Sequence, residues 1–229
     1  MNKQVIILFG PPGAGKGTQS ELLSDKLGSY MFETSGIIGR KIAEAKPGSF
    51  VEVDGEKYYF ETEDKMAKSG KLWDPPFVVY FVRERIHELF AEGESIIFSG
   101  SPRTIYEVEK ITPLLEQLYK KENIKIILLE IKPEATIYRN AHRKVCELMR
   151  HSILFSEETK DLTVCPLDGS ALSRRKDDDA EAVKIRIKEY AERTLPMVEY
   201  FEKNNFKVNR INGEQSVADT FKDILNAIK

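Results

Sequence analysis

A five-residue apolar run, Val5–Phe9, stops at Gly10-Pro11-Pro12-Gly13-Ala14-Gly15-Lys16-Gly17-Thr18-Gln19, and helical spacing begins directly after it. Strand, glycine-rich loop, lysine and helix in this order constrain the chain more than any other feature. Glycines let main-chain N–H groups turn inward around a phosphate, the helix N-terminus adds partial positive charge, and Lys16 reaches the β and γ oxygens. The strict form of such loops carries Ser or Thr directly after the lysine, whereas here Gly17 stands before Thr18. The plain alternative, a glycine-rich turn that only packs a helix on a strand, does not call for all these parts in sequence.

The rest of the chain repeats the strand–helix rhythm. Apolar runs of strand length recur at residues 96–98, 124–131 and 206–211, with a weaker one at 30–32. Between them, 20–27, 77–90, 106–121, 134–149, 179–200 and 216–228 place apolar residues three and four apart, the spacing of helices. Strands that are apolar throughout are buried on both faces, so the pattern predicts an α/β fold with a five-stranded parallel sheet flanked by helices. Ligands of such sheets bind beyond the carboxyl ends of the strands. Two segments break the rhythm. Within 36–70, Asp54-Gly55 separates two β-prone runs and reads as a hairpin spanning 50–60. Residues 151–176 lack a helical period, carry His151 and Cys165, and contain the turn-forming Cys165-Pro166-Leu167-Asp168-Gly169. Both read as insertions on the core.

Composition narrows the class. With 35 Lys and Arg against 37 Asp and Glu, the chain has no global field to hold a nucleic-acid duplex or an anionic membrane, so polyanions must be met by locally placed cations. Two cysteines are too few for a secreted disulfide scaffold. The N-terminal apolar run is shorter than a signal-peptide core, and no stretch has the length of a membrane span. The expectation is a soluble, cytoplasmic, monomeric protein.

The loop resembles the phosphate loop of adenylate kinases and related nucleoside monophosphate kinases, in which Gly-Lys-Gly-Thr is usual. The resemblance continues along the chain. Ser35-Gly36-Ile37-Ile38-Gly39-Arg40 is similar to the family's Thr-Gly-Asp-x-x-Arg, Gly70-Lys71-Leu72-Trp73-Asp74 to its Gly-x-Leu/Val-Val-Pro/Thr-Asp, and Ser99-Gly100-Ser101-Pro102-Arg103-Thr104 to its Asp-Gly-Phe-Pro-Arg-Thr. Arg139 and Arg143 match Arg-x-x-x-Arg, and Arg175-Lys176-Asp177-Asp178 with Arg186 matches Arg-x-Asp-Asp and a downstream Arg.

This resemblance implies a P-loop NTPase core formed by residues 1–34, 74–141 and 179–229, a monophosphate-binding domain at 35–73 and a lid at 142–178. It implies reversible transfer of the ATP γ-phosphoryl to AMP, with Mg²⁺ accompanying ATP. Gly13, Ala14, Gly15, Lys16, Gly17 and Thr18 would cradle the donor, with Arg139 on its adenine and Gln215 as a main-chain neighbour of that base. Ser35, Arg40, Lys71, Leu72, Trp73, Gly100, Arg103 and Glu107 would hold the monophosphate. Lys16, Arg103, Arg143, Arg175 and Arg186 would be the catalytic cations: Lys16 on the donor, Arg103 with Arg40 on the acceptor α-phosphate, and Arg143, Arg175 and Arg186 closing over the transferring group, Arg143 also touching ATP and Arg175 and Arg186 the acceptor. Asp177 and Asp178 fit the hinge of the lid.

Departures from the family pattern carry their own expectations. Its two aspartates near Mg²⁺ are replaced by Ile37 and Ser99. These losses predict weaker or altered metal binding and leave room for a nucleotide-binding regulatory protein without catalysis. Glu107 stands where an adenylate kinase carries glutamine; an ionised carboxylate only accepts hydrogen bonds and suits guanine N1 and N2 better than adenine N1. A GMP or other monophosphate kinase is therefore the alternative, unless Glu107 points to solvent. Finally, Cys146-Glu147-Leu148-Met149 and Cys165-Pro166-Leu167-Asp168 are similar to the paired knuckles of zinc-bearing lids. Cys146, Cys165 and Asp168 match, Met149 is a poor zinc donor, and His151 would complete the set if the chain bends back. The other reading is a remnant knuckle closed by hydrogen bonds.

Overall fold

The structure, a computed structural model, describes residues 3–149, 151–153, 155, 159–174 and 180–229. β1 (Val5–Phe9) leads into α1 (Lys16–Leu27), β2 (Tyr30–Phe32), α2 (Thr34–Glu44), the pair β3 (Phe50–Val53) and β4 (Glu56–Tyr59), and α3 (Phe60–Lys68). α4 (Pro75–Glu92), β5 (Ile96–Ser99), α5 (Ile105–Tyr119), β6 (Ile124–Glu130) and α6 (Pro133–His142) follow. Three short strands, β7 (Lys144–Cys146), β8 (Ser152–Ile153) and β9 (Leu172–Arg174), precede α7 (Ala180–Glu189), a π-helical turn at Tyr190–Thr194, α8 (Met197–Lys203), β10 (Val208–Asn212) and α9 (Val217–Ala227).

The main sheet has five parallel strands in the order β10-β6-β1-β5-β2. Alternation along its strands explains their uninterrupted apolar sequence. Val5, Ile7 and Phe9 enter one core with Phe98, Leu128, and residues of α4, α5 and α8; Ile6 and Leu8 enter another with Ile97, Ile127, Leu23 of α1 and Ile224 of α9. With no solvent face, neither set of positions tolerates a polar residue, and each fully buried aliphatic contributes about 2–3 kcal/mol. Parallel pairing brings the carboxyl ends of all five strands to one edge, where the loops after β1 and β5 lie side by side. No described helix is long and apolar enough to cross a membrane.

The hairpin forms as its sequence predicts: Val53 pairs with Glu56 across Asp54 and Gly55, whose φ angles of 53° and 83° are those of a tight primed turn. Phe60 lies beyond it, at the start of α3. The flanking helices α2 and α3 did not stand out by apolar spacing, because only Thr34 and Ile38 of α2 and Glu63 of α3 are buried.

Two expected helices are corrected. The spacing over 134–149 predicts one helix, yet α6 ends at His142, Arg143 is extended, and Lys144–Cys146 pairs antiparallel with both β8 and β9. Sheet pairing overrides a helical period there. The spacing over 179–200 predicts another continuous helix. Instead the Leu195 N–H donates to the Tyr190 carbonyl at 2.8 Å and Pro196, which has no N–H, follows, so the ladder widens into a π turn before α8. Asp179 lies outside the described residues.

Candidate functional site

The turn after β1 delivers an open helix end. Gly15 caps α1 without a side-chain hydrogen bond and the first turn holds no acidic residue, so its N–H groups and partial positive charge are not neutralised locally. Lys16 folds back over the loop and donates to the carbonyls of Gly10 at 2.8 Å and Pro11 at 2.9 Å. Burial, and then the charges of Arg103 and Arg143, lower its pKa to about 7. Three cations from distant parts of the chain thus converge on one region.

The loop after β5 completes that region. Gly100 adopts φ 73°, and a Cβ there would lie 3.2 Å from Arg103 Nη2 and 3.6 Å from Lys16 Cε, so the two side chains flank a gap only glycine leaves open. Arg103 is fixed from both ends: its Nε donates to the Gly100 carbonyl, and its own carbonyl accepts from Thr194 Oγ1 at 2.7 Å. The π turn therefore has a structural partner in the arginine loop.

On the opposite side, Arg139 Nη1 donates to the carbonyls of Gly13 at 3.3 Å and Gly213 at 2.8 Å, laying its guanidinium across the loops after β1 and β10. The Gln215 side-chain amide donates to Asp223 Oδ2 at 2.7 Å. Arg40 and Lys71 are exposed, and Arg186 is half-buried on α7. Arg175, Lys176, Asp177 and Asp178 lie outside the described residues.

Between α2, α4 and the start of α5 lies a cavity whose lining includes Ser35, Leu72, Trp73, Gly100, Arg103 and Glu107. The reading of Glu107 as solvent-facing is wrong: it is 2% exposed. Its two carboxylate oxygens accept from the Arg103 N–H at 2.9 Å and from Thr104 Oγ1 at 3.0 Å, while Thr104 Oγ1 accepts from the Glu107 N–H at 3.2 Å. Thr104 thus caps α5, and Glu107 reaches back past the cap to the N–H of Arg103, a variant of the capping box that accommodates a carboxylate there. Thr34 and Ser101 also line the cavity and were missed from sequence; their hydroxyls, next to Ser35 and Gly100, are buried with no hydrogen-bond partner among the described residues. Ile37 packs against the hydrophobic core, and Ser99 ends β5, so neither position presents a carboxylate.

A model of the adenylate kinase family matches residues 8–206. The chain belongs to the adenylate kinase family. It is 30% identical over 230 residues to an adenylate kinase of Petrotoga mobilis, covering 98% of this chain and 97% of the relative. It is 28% identical over 225 residues to one of Borrelia turicatae (97% and 98%) and 29% identical over 225 residues to one of Methanosarcina barkeri (98% of both). The protein is accordingly a nucleoside monophosphate kinase, a phosphotransferase acting on nucleotides.

In this member of the family the three-stranded sheet of β7, β8 and β9 carries a cluster of metal-ligand character. Ligand atoms of Cys146, His151, Cys165 and Asp168 lie within 4.8 Å of one another. His151 Nδ1 is 3.5 Å from each sulfur and 3.2 Å from Asp168 Oδ2, which sits 3.1 Å from Cys146 Sγ. The chain does bend back as the His151 alternative requires, and the His151 N–H donates to Cys146 Sγ at 3.1 Å. Met149 is exposed. Asp168 is oriented by the N–H of Ser170 at 2.9 Å and its hydroxyl at 2.7 Å, and hydrogen bonds, first from Cys146 and then from Ser170, hold its carboxyl well below the usual range. Two sulfurs, one imidazole and one carboxylate, buttressed from behind, fit a closed tetrahedral zinc site.

Proposed function

We propose that this adenylate kinase catalyses reversible phosphoryl transfer from ATP to AMP, giving two ADP. The convergence of Lys16, Arg103 and Arg143 beside an open helix N-terminus carries the reading. Phosphoryl transfer asks little covalent chemistry of the protein. Two polyphosphates must be brought in line, their charge neutralised and water kept out.

The loop from Gly13 to Thr18 cradles the donor phosphates, and Lys16 exchanges its carbonyl partners for their oxygens. Arg103, held between Gly100 and Thr194, faces both the donor loop and the cavity and so bridges donor and acceptor. Arginine suits this role because its fork binds phosphate bidentately and keeps its charge. Arg143, at the junction of α6 and β7, adds charge as residues 142–178 close over the donor, and Arg186 of α7 and Arg175 act with it. Residues 35–73 hold the monophosphate, Arg40 its phosphate, and Ser35, Leu72 and Trp73 its base; Arg139 and the main chain at Gln215 border the donor adenine.

Mg²⁺ bound with ATP neutralises phosphate charge. With Ile37 and Ser99 in place of carboxylates, the hydroxyls of Thr18 and Ser99 are the donors this chain would offer such an ion, beside phosphate oxygens and water. Zinc on Cys146, His151, Cys165 and Asp168 would staple the lid without entering the chemistry. A coupled assay with MgATP and AMP, GMP, CMP or UMP tests the proposal: ADP formation with AMP is expected, and ATP binding without ADP formation from any monophosphate would leave only a nucleotide-binding protein.

A further inference from the structure

The acceptor cavity contains more unspent hydrogen-bonding capacity than a phosphate-gripping site needs. Thr34 Oγ1, Trp73 Nε1 and Ser101 Oγ are all buried without a partner among the described residues, and Thr34 and Ser101 are only 6% and 1% exposed. They line the same cavity as Glu107. A buried polar atom without a partner costs about 1–3 kcal/mol, so three such groups beside Glu107 around one cavity mark the place of a polar ligand edge. A purine carried by a nucleoside monophosphate has that edge.

The four groups divide into two kinds. The indole N–H and the two hydroxyls can donate to ring nitrogens, which every purine supplies, so they do not choose among purines. Glu107 does. A 6-aminopurine offers an acceptor at N1 beside a donor at N6, and its partner must donate once and accept once. A 6-oxopurine offers a donor at N1, with a second at N2 in guanine, and its partner must only accept. A neutral carboxylic acid satisfies the first pattern and a carboxylate the second. Each Glu107 oxygen already accepts one hydrogen bond, from Arg103 N–H or Thr104 Oγ1, and keeps a lone pair for the base.

We propose that the protonation state of Glu107 sets the acceptor: the neutral acid takes 6-aminopurine monophosphates and the carboxylate takes 6-oxopurine monophosphates. The proposal deepens the AMP reading above and rests on it. The surroundings favour the neutral form. Burial raises the Glu107 pKa, and that effect outweighs the Arg103 N–H, the Thr104 hydroxyl, and the charges of Arg103 from the preceding loop and Arg193 from the π turn, all of which oppose it.

The test is kcat/KM for AMP and for GMP, with saturating MgATP, from pH 5.5 to 8.5. Effects of Lys16 and of the monophosphate's own ionisation cancel in the AMP:GMP ratio. That ratio should fall by about tenfold or more as pH rises, since a single linked proton changes a binding ratio by up to tenfold per pH unit. Glu107→Gln, which keeps an acceptor for Arg103 N–H, should flatten the ratio and favour AMP throughout. A constant wild-type ratio, no GMP turnover across the range, or a pH dependence that survives in Glu107→Gln overturns the proposal. The wild-type ratio decides even if the variant folds poorly. Failure of the AMP reading is separate: it shows as no turnover of AMP at any pH.

Discussion

Lys16 sits at a point where its charge is costly without a ligand. With a pKa near 7 set by burial and by two neighbouring guanidiniums, the free protein holds it partly neutral above neutrality. A bound polyphosphate restores the ammonium, so at pH 8, where phosphate is already ionised, nucleotide binding should take up protons and affinity should fall as pH rises further. Calorimetry in two buffers of different ionisation enthalpy reads this directly; Lys16→Met should abolish the uptake and lower turnover on the order of 10²–10³-fold. Ser99 gives a second residue-scale prediction. Ser99→Asp restores a carboxylate at the end of β5 and should lower the Mg²⁺ concentration for half-maximal rate; an unchanged Mg²⁺ curve would place the ion away from this strand end. The loop lysine was legible in sequence because its neighbours are consecutive. The burial of Glu107 and the orphaned hydroxyls of Thr34 and Ser101 were not, since each depends on which elements close the cavity from other parts of the chain.

At the scale of elements, the segment between α3 and α4 joins the cavity to the core, and a buried acid fixes it. Glu63 of α3 is 1% exposed and accepts the Asp74 N–H at 2.9 Å, capping the start of α4 from another helix. Burial, with Asp74 nearby, raises its pKa to about 7. Between pH 4.5 and 7 the native state then binds more protons than the unfolded chain, so this group's contribution to stability falls as pH rises through that window. Glu63→Gln keeps the acceptor and removes the charge. It should stabilise the protein at pH 8 on the order of 1–3 kcal/mol and little at pH 5, as thermal midpoints across the series would show. The hairpin beside these helices was legible because its turn is local; α2 and α3 were not, because short helices that bury one or two residues have no apolar stripe to read.

Across the whole molecule, stability and chemistry are unevenly shared. The parallel sheet is covered on both faces by large cores, whereas among the described residues the sheet of β7, β8 and β9 has a small buried cluster of Cys146, Ile153 and Cys165, with Leu162 and Leu172 against it. A unit that small gains little from burial, and one metal ion on Cys146, His151, Cys165 and Asp168 would supply what apolar area does not. The sequence placed both cysteines and Asp168 within knuckle spacing, while His151 joined them only through the reversal between β7 and β8 that helical spacing had hidden. Purified protein should therefore contain about one zinc per chain, set by the four-ligand site. Removing it with a chelator, or substituting Cys165→Ser, should raise hydrogen exchange in residues 144–174 and cut turnover about tenfold or more by leaving Arg143 without a fixed lid. Exchange in β1, β5 and β6 should not change, because their burial does not involve that cluster. Full turnover and unchanged protection in metal-free protein would show instead that the hydrogen bonds among these four residues suffice to hold the lid.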